Sequence, residues 1–237
     1  MQSTAPDQQK IALLYYLLRD CRQLPNIDSI FARRTHLPPR WQLLVAGLWE
    51  LDHAQFSRAL EHLADPSLTP TFTDEILLTL LRHPRCDPSL ATAYYVAVSP
   101  PLAEQTTLEA YFELLKSNSL VEAYYFAQRQ EQSRHKSLFE KLVVAVLQDK
   151  PDQSRAETAA LLIGLPLTVQ EEAWLEESLL QGAASKLPCA KDSLLARKIA
   201  TGSSTGETTV FGRVKGDSLG GINWGIVNAG IEGAVPH

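Results

Sequence analysis

The sequence contains few cysteines, and they are not arranged for a structural or redox site. Cys21, Cys86 and Cys189 lie far apart and form no Cys-x-x-Cys pair. An odd number of widely spaced cysteines supports neither a disulfide framework nor a zinc site. The pattern therefore predicts three reduced thiols in a cytosolic or nuclear protein.

Long apolar runs and an excess of basic residues are also lacking. The longest apolar runs, such as Ile11–Leu18, are much shorter than the roughly 20 residues that span a bilayer, so no membrane insertion is predicted. Met1–Asp7 lacks the basic start of a secretory signal. A net charge of -5 does not provide the excess of basic side chains that neutralises a phosphate backbone, which disfavours direct nucleic-acid binding by this chain.

Glycine is sparse in the first part of the chain and frequent in the last. Gly47, Gly164 and Gly182 precede residue 200, and the other nine of the 12 glycines follow it. We expect an α-helical domain over residues 1–200 and a Gly/Ser-rich extended tail over residues 201–237, which cannot bury enough surface to fold alone.

Residues 1–200 show helical periodicity in segment after segment, without sustained period-two alternation. Proline and glycine punctuate the segments at His83-Pro84, Ser99-Pro100-Pro101 and Gly164-x-Pro166. Helix starts are predicted by an Asp87-Pro88 cap and by three capping boxes, which begin at Ser119, Ser154 and Thr168. The short connections predict an all-α fold, an irregular α-solenoid of about eleven helices with a flexible C-terminal extension.

Patterns that carry chemistry are missing from this sequence. The six histidines show no ligand spacing, so no metal is predicted. Gly202–Thr208 resembles a phosphate-binding loop, but Glu207 stands where a lysine is needed and would repel phosphate. The pairs Glu171-Glu172 and Glu176-Glu177 are interpreted as a solvated acidic helix face. We therefore expect no enzyme, no cofactor and no small-molecule substrate.

Adjacent aromatic residues on one helix are candidate partner contacts. Neighbouring positions are about 100° apart, so in each doublet one ring enters the core while the other can meet a partner. The doublets are Tyr15-Tyr16, Tyr94-Tyr95 and Tyr124-Tyr125. From these we select Tyr95 and Tyr124 as partner-binding residues. The densest basic cluster is Arg33-Arg34 with Arg40, which is explained by a favourable position at a helix C-terminus.

The tail carries short apolar clusters in a weakly charged segment. Fully extended, its residues would reach on the order of 120 Å. Apolar clusters of this kind often fold on binding, for instance by adding a strand to a sheet edge, although an inert flexible end is the alternative. The predicted anchors are Phe211, Ile222, Trp224 and Ile226.

Several separated segments between residues 49 and 202 resemble the ELYS-like domain of fungal nuclear pore assembly proteins. They cover about two-thirds of the chain in the family's order. The segments are Trp49–Asp52, Ala59–Pro66, Phe72–Leu77, Ala93–Tyr95, Val98–Leu102, Glu122–Phe126, Glu171–Trp174, Leu187–Asp192 and Ile199–Gly202.

The resemblance implies a structural nucleoporin that attaches to the Y-shaped outer-ring complex (Y-complex) of the nuclear pore and supports pore assembly. Its implied partners are β-propeller and α-solenoid nucleoporins of that complex, and its implied location is the nuclear envelope. Larger animal members bind chromatin through AT-hooks, but no Arg-Gly-Arg-Pro occurs in this sequence. The alternatives are a scaffold of another assembly, such as a vesicle coat, and a chromatin-binding module.

Overall fold

The computed structural model describes residues 5–21, 26–148 and 152–202, and all regular elements in these ranges are helical. The first six helices are α1 (Ala5–Arg19), α2 (Ile27–Arg34), α3 (Pro39–Asp52), α4 (Phe56–Leu63), α5 (Thr73–Arg82) and α6 (Pro88–Val98). They are followed by α7 (Gln105–Asn118), α8 (Leu120–Gln128), α9 (Gln132–Leu147), α10 (Asp152–Gly164), α11 (Val169–Leu180), a short 3-10 turn (Ala183–Lys186) and α12 (Ala190–Ala200). The predicted all-α class is confirmed, with twelve α-helices in the described residues.

Three predicted helix starts have the expected side-chain caps. The Asp87 carboxylate accepts a hydrogen bond from the Ser89 amide at 2.9 Å at the start of α6. The Ser119 hydroxyl does the same for the first turn of α8, at 3.3 Å. Thr168 and Glu171 form the complete reciprocal capping box of α11. These bonds satisfy amides that have no partner within the helix itself.

One predicted start is wrong, whereas the predicted stops are confirmed. α10 begins at Asp152, ahead of Ser154, so this serine lies inside the helix. α5, α6 and α10 end at Arg82, Val98 and Gly164, next to the proline-containing segments. Proline cannot continue a helix, because it lacks the amide hydrogen and restricts the residue before it.

The described residues form two compact units, which divide the chain between Leu114 and Leu115 within α7. We call the part up to Leu114 the N-terminal unit and the part from Leu115 the C-terminal unit. The predicted tail starts at the very end of the described residues, so the boundary at residue 201 stays a prediction. The solenoid arrangement also stays a prediction.

In the N-terminal unit, α3 packs closely against α4 and also contacts α1. The close approach occurs at Gly47, where an added Cβ would lie 2.5 Å from Leu63 Cγ. Only glycine leaves room for the neighbouring helix at that point. A small apolar cluster joins α1, α2 and α3, and consists of Ala12, Tyr15, Ala32, Leu37 and Val45.

In the C-terminal unit, α9 is the helix that contacts the most neighbours: α8, α10, α11 and the 3-10 turn. Its apolar stripe is fully buried, and the packing of α12 against α10 and α11 extends this core. The stripe consists of Phe139, Leu142, Val143 and Val146. Across the described part of the chain, none of the helices combines the length and the apolar character that a membrane span requires.

Candidate interaction surfaces

The tyrosine doublets divide between core and surface as predicted. Tyr94 is buried, whereas Tyr95 beside it is half-buried. Tyr124 is fully buried, whereas Tyr125 is 44% exposed. The difference follows from the angle of about 100° between successive side chains on a helix. In the third doublet, Tyr15 is buried and Tyr16 is half-buried.

The predicted contact residue Tyr95 keeps part of its ring at the surface. The ring stacks on that of Tyr111, with 4.2 Å between the centroids and 25° between the planes. Tyr111 is buried, so this stacking fixes the orientation of Tyr95. The contact of Tyr95 with a partner stays a proposal.

The predicted contact residue Tyr124 is placed in the core, which corrects that choice. Its ring has no exposed surface, and its hydroxyl lies 2.9 Å from the Pro166 carbonyl oxygen and 3.2 Å from Glu171 Oε2. A ring that is buried and hydrogen-bonded in this way cannot meet a partner while the helix is folded. The exposed ring in this doublet is Tyr125, so the proposal of a contact passes to it.

Tyr124 belongs to a buried polar network centred on Glu171. The Glu171 carboxylate is 0% exposed and accepts a hydrogen bond from the Thr168 amide at 2.7 Å. The Gln128 side-chain amide donates to it at 3.1 Å, and His135 Nε2 lies 3.0 Å from Oε1. Gln128 also donates to the Tyr124 hydroxyl at 2.7 Å. These directional contacts make it possible to bury a carboxylate, which would otherwise be very costly.

Hydrogen bonding decides the protonation state of this network. Burial acts to raise the pKa of the Glu171 carboxyl, but hydrogen bonds from Thr168, Gln128 and Tyr124 outweigh it and hold the pKa below its usual range. Burial and the neighbouring Glu171 carboxylate raise the pKa of Tyr124. At neutral pH the network therefore contains an ionised glutamate and a protonated tyrosine.

The prediction of a solvated acidic face on α11 is wrong for Glu171, which is fully buried, whereas Glu172, Glu176 and Glu177 stay at the surface and pair with cations. Arg197 Nε donates to Glu172 Oε1 at 3.0 Å. Two more ion pairs follow along the helix, from Lys198 to Glu176 at 2.8 Å and from Lys136 to Glu177 at 2.9 Å. The cations come from α12 and α9, far away in sequence, so a charge pattern within α11 could not show them.

Arg197 was not selected from the sequence, although it connects three segments of the C-terminal unit. Its side chain is buried, and besides Glu172 it donates to the carbonyl oxygens of Ile163 and Leu165, the latter at 2.7 Å. These oxygens lie at the end of α10, where carbonyl groups have no partner within the helix. A single guanidinium therefore joins α12, α11 and the end of α10.

His135 was also missed, but a signal for it is present in the sequence. It lies one helical turn before Phe139, so it falls on the buried stripe of α9. A histidine on a buried stripe needs a polar partner. In the structure that partner is Glu171, and the imidazole also meets the Trp174 ring edge-on, at 5.1 Å between centroids.

The N-terminal unit carries an open apolar groove of about 670 Å³ between α1, α3 and the segment that leads into α5. On its rim, Leu13 is 61% exposed and Phe72 is 55% exposed. Its floor includes Trp41, Leu44 and Val45 from α3. We call this surface the α1–α3 groove. No His, Cys, Asp or Glu side chains cluster as a metal site would within the described ranges.

The predicted tail anchors lie outside the described residues, so the structure leaves them as predictions. These are Phe211, Ile222, Trp224 and Ile226.

A family model described as "ELYS: Nuclear pore complex assembly" matches residues 1–182, which takes in α1 to α11. The match starts earlier than the resemblance found between residues 49 and 202 and ends before its last two segments. α12, with Arg197, therefore lies beyond the matched range.

Among curated proteins, the uncharacterized protein ely5 of Schizosaccharomyces pombe is 29% identical to this chain over 182 residues. The aligned region covers 77% of this chain and 56% of that protein, so the chain spans little more than half the length of this relative. No solved structure matches the chain significantly. The family is structural, and its description indicates localisation at the nuclear pore. Because its model matches most of the sequence, the chain belongs to the ELYS family of nuclear pore complex assembly proteins.

Proposed function

We propose that this chain is a structural nucleoporin that attaches to the Y-complex of the nuclear pore and supports pore assembly. The observation that carries the proposal is the family match over residues 1–182. Its partners in this proposal are the β-propeller and α-solenoid nucleoporins of the Y-complex. The proposed contacts are made by exposed residues on the helical units and by the predicted tail anchors.

A non-catalytic role is supported by the chemistry of the most enzyme-like cluster in the structure. His135, Glu171 and Tyr124 lie within hydrogen-bond distance in a chain of contacts, as acid/base groups in an active site often do. However, the Glu171 and Tyr124 side chains have no exposed surface, so a substrate cannot reach them. The cluster holds α8, α9 and α11 together, which is a structural task.

The proposal is tested by co-elution in size-exclusion chromatography. The full chain is mixed with a purified β-propeller and α-solenoid pair from the Y-complex of the same organism, at roughly physiological salt. We expect a stoichiometric complex. If the two proteins elute separately over the micromolar range, attachment to this subcomplex is wrong, and a scaffold role elsewhere takes its place.

The contribution of the tail is tested in the full chain, without truncation. A variant in which all four predicted anchors are changed to alanine is compared with Tyr125→Ala and with the control Val96→Ala, which removes an apolar side chain that is 71% exposed on α6. Loss of co-elution only in the anchor variant would assign the contact to the tail. Loss only in Tyr125→Ala would assign it to α8. The anchors are Phe211, Ile222, Trp224 and Ile226.

Localisation separates the alternative assemblies. A fluorescently tagged full chain at the nuclear rim agrees with the pore, whereas puncta on cytoplasmic membranes would favour a vesicle coat. Affinity for duplex DNA that falls steeply with salt would instead support a chromatin-binding module, since such a slope measures the phosphates that are neutralised.

A further inference from the structure

The second half of α1, Ile11–Leu18, has apolar residues on all sides, yet only one side of it is covered. Ala12 and Tyr15 face the core, whereas Leu13, Leu14 and Leu17 are 61%, 49% and 51% exposed. A helix that is apolar all round is normally buried on all sides. The outward leucines therefore indicate a surface that another chain covers, and Leu13 lies on the rim of the α1–α3 groove.

Phe72 also lines the α1–α3 groove, and its backbone conformation is strained. It is the residue before α5 and has φ 55° and ψ 33°, in the left-handed region that bulky side chains rarely occupy. Despite this cost, its ring is 55% exposed and lines the groove. A strained backbone that exposes an aromatic ring does not stabilise the fold by burying that ring. Strained residues of this kind are frequent at binding sites.

One end of the α1–α3 groove is basic. Arg40 lines the groove, and no acidic residue appears among the described residues that line it. Arg33 and Arg34 are exposed at the end of α2, and a tight turn through His36 leads from there to the start of α3. The turn is closed by bonds from the His36 amide to the Arg33 carbonyl and from the Leu37 amide to the Ala32 carbonyl. Arg33 and Arg34 therefore precede this turn and Arg40 follows it, and we call the three residues the arginine corner.

We propose that the α1–α3 groove docks an amphipathic helix of a partner protein, with its apolar side chains against Leu13, Trp41 and Phe72 and its acidic side chains over Arg33, Arg34 and Arg40. Helices recognised in this way insert anchors spaced by three or four residues into an apolar groove. The acidic face is required by charge complementarity with the arginine corner. The inference specifies the kind of partner that the proposed function requires. It rests on that function only where it takes the partner to be a pore subunit.

The form of the groove argues against a small molecule as the occupant. Sites for small ligands enclose most of the ligand's surface. Here both rim residues are more than half exposed, so a bound molecule would stay largely in water. A longer segment can cover both rims and also reach the outward leucines of α1.

The test uses a synthetic peptide as the probe and the full chain as the receptor. The acidic peptide has about 18 residues, with leucines at helical spacing and glutamates on the flanks. A matched basic peptide keeps the leucines and carries lysines instead of the glutamates. Binding of each labelled peptide is measured by fluorescence anisotropy at roughly 0.15 M salt. We expect micromolar binding of the acidic peptide, roughly tenfold tighter than that of the basic one.

Variants of exposed residues show where on the chain the acidic peptide binds. Leu13→Glu and Phe72→Glu should each weaken acidic-peptide binding by roughly tenfold or more. Arg40→Glu should remove the preference for the acidic peptide. The control Val96→Glu places the same charge on an exposed apolar position of α6 and should leave binding unchanged. Equal thermal unfolding midpoints show that each variant is folded.

Three outcomes would overturn the inference. The first is equal affinity for the acidic and basic peptides, or equal affinity of Leu13→Glu and the control Val96→Glu for the acidic peptide. The second is tighter peptide binding after Phe211→Ala and Trp224→Ala, which would mean that the chain's own C-terminal segment occupies the groove. The third is a dimer in sedimentation analysis that Leu13→Glu dissociates, which would make a second copy the occupant.

The peptide assay also separates this inference from the proposed function. It contains no nucleoporin, so charge-selective binding supports the groove even if co-elution with the Y-complex pair fails, in which case the proposed function is wrong. If Leu13→Glu loses the peptide but still co-elutes fully with the pair, the proposed function stands, and the assignment of the groove to a pore subunit is wrong.

Discussion

Glu50 in the N-terminal unit and Glu171 in the C-terminal unit are both buried glutamates, but their surroundings differ. Glu171 is held by directional hydrogen bonds from the Thr168 amide and from side chains of α8 and α9. Glu50 faces His62 at 2.9 Å, whereas its contact to Arg19 is a loose ion pair at 3.8 Å. The Glu171 carboxylate is therefore hydrogen-bonded at both oxygens, whereas the Glu50 carboxylate has only ionic contacts, one of them long.

One helix from each unit, α9 and α1, differs in the same direction in the exposure of its apolar side chains. The buried stripe of α9 is 0% exposed at four positions, whereas α1 presents leucines to solvent beside an open groove. A surface that stays apolar and open is one that a partner can complete. The comparison therefore sets a closely packed helix, α9, against a helix, α1, whose outer side is open to a partner.

The largest expected difference between the units concerns apolar side chains. Phe139→Ala empties a site on α9 that has no exposed surface, and should destabilise the protein by about 4 kcal/mol. Leu13→Ala shortens a side chain that is 61% exposed and should change stability by less than about 0.5 kcal/mol. Urea unfolding of both full-length variants checks this. Similar costs for the two would mean that α1 is as well packed as α9.

The second expected difference concerns the two buried glutamates. Glu171→Gln turns one carboxylate oxygen towards its neighbours as an amide donor, where Thr168, Gln128 and Tyr124 already donate. Unpaired buried donors then destabilise the protein by about 3 kcal/mol. Glu50→Gln should cost only about 1 kcal/mol, because the amide keeps one oxygen to face His62 and no donor within hydrogen-bond distance of Glu50 other than His62 is left opposite the new amide. The order of the two unfolding midpoints in urea is the measurement, and a reversed order contradicts the comparison.

Low pH should destabilise the C-terminal unit by protonating Glu171. The pKa of Glu171 is lower in the folded chain than its ordinary value near 4.5. The stabilisation by its carboxylate is therefore complete above about pH 5 and is lost as the pH falls through the lower folded pKa. We expect protection from hydrogen exchange in α11 to decrease from about pH 5 to about pH 3. Glu171→Gln should show a weaker pH dependence over this interval, and an unchanged dependence would assign acid sensitivity to other carboxyls.

Much of the helical framework follows from local sequence, because caps and stops act within one turn. Thr168 and Glu171 illustrate both the success and its limit. The capping box predicts the start of α11, but the burial of Glu171 depends on Tyr124 and His135, which lie 47 and 36 residues earlier. The pairing of the α11 acidic face depends in the same way on α12 and α9. Long-range contacts of this kind leave no periodic signal in the sequence.

The orientation of α1 could not be predicted for a different reason. Helical spacing favours a buried stripe of Ile11, Leu14, Leu18 and Cys21, but Ile11–Leu18 is apolar at successive positions, so other faces fit the periodicity equally well. The stripe is wrong, because Leu14 is 49% exposed and Cys21 is exposed. Tertiary packing then decides that Ala12 and Tyr15 are buried and that three leucines remain outside. The exposed side of α1 is therefore information that only the structure supplies.

The smallest expected effect tests a polar contact of the N-terminal unit. The Tyr16 hydroxyl donates to Asp52 Oδ2 at 2.6 Å, and this bond, with burial and the Asp52 charge, raises the pKa of Tyr16 to about 12. Tyr16→Phe should cost only about 0.5 kcal/mol at neutral pH, because the bond is exposed to water. The conservative change Tyr125→Phe on α8 is the matched control.

Unfolding at alkaline pH then shows whether the hydrogen bond from Tyr16 to Asp52 contributes to stability. A raised folded pKa means that the stabilisation is complete below the ordinary value of 10.0 and is lost as the pH rises through about 12. The difference in unfolding midpoint between the wild type and Tyr16→Phe should therefore narrow over this interval. All other side chains are the same in both proteins, so their contributions cancel in the difference. If the difference in unfolding midpoint stays constant over this interval, the hydrogen bond from Tyr16 to Asp52 does not stabilise the N-terminal unit. The ring of Tyr16, which lines the α1–α3 groove, would then contribute to stability only through packing.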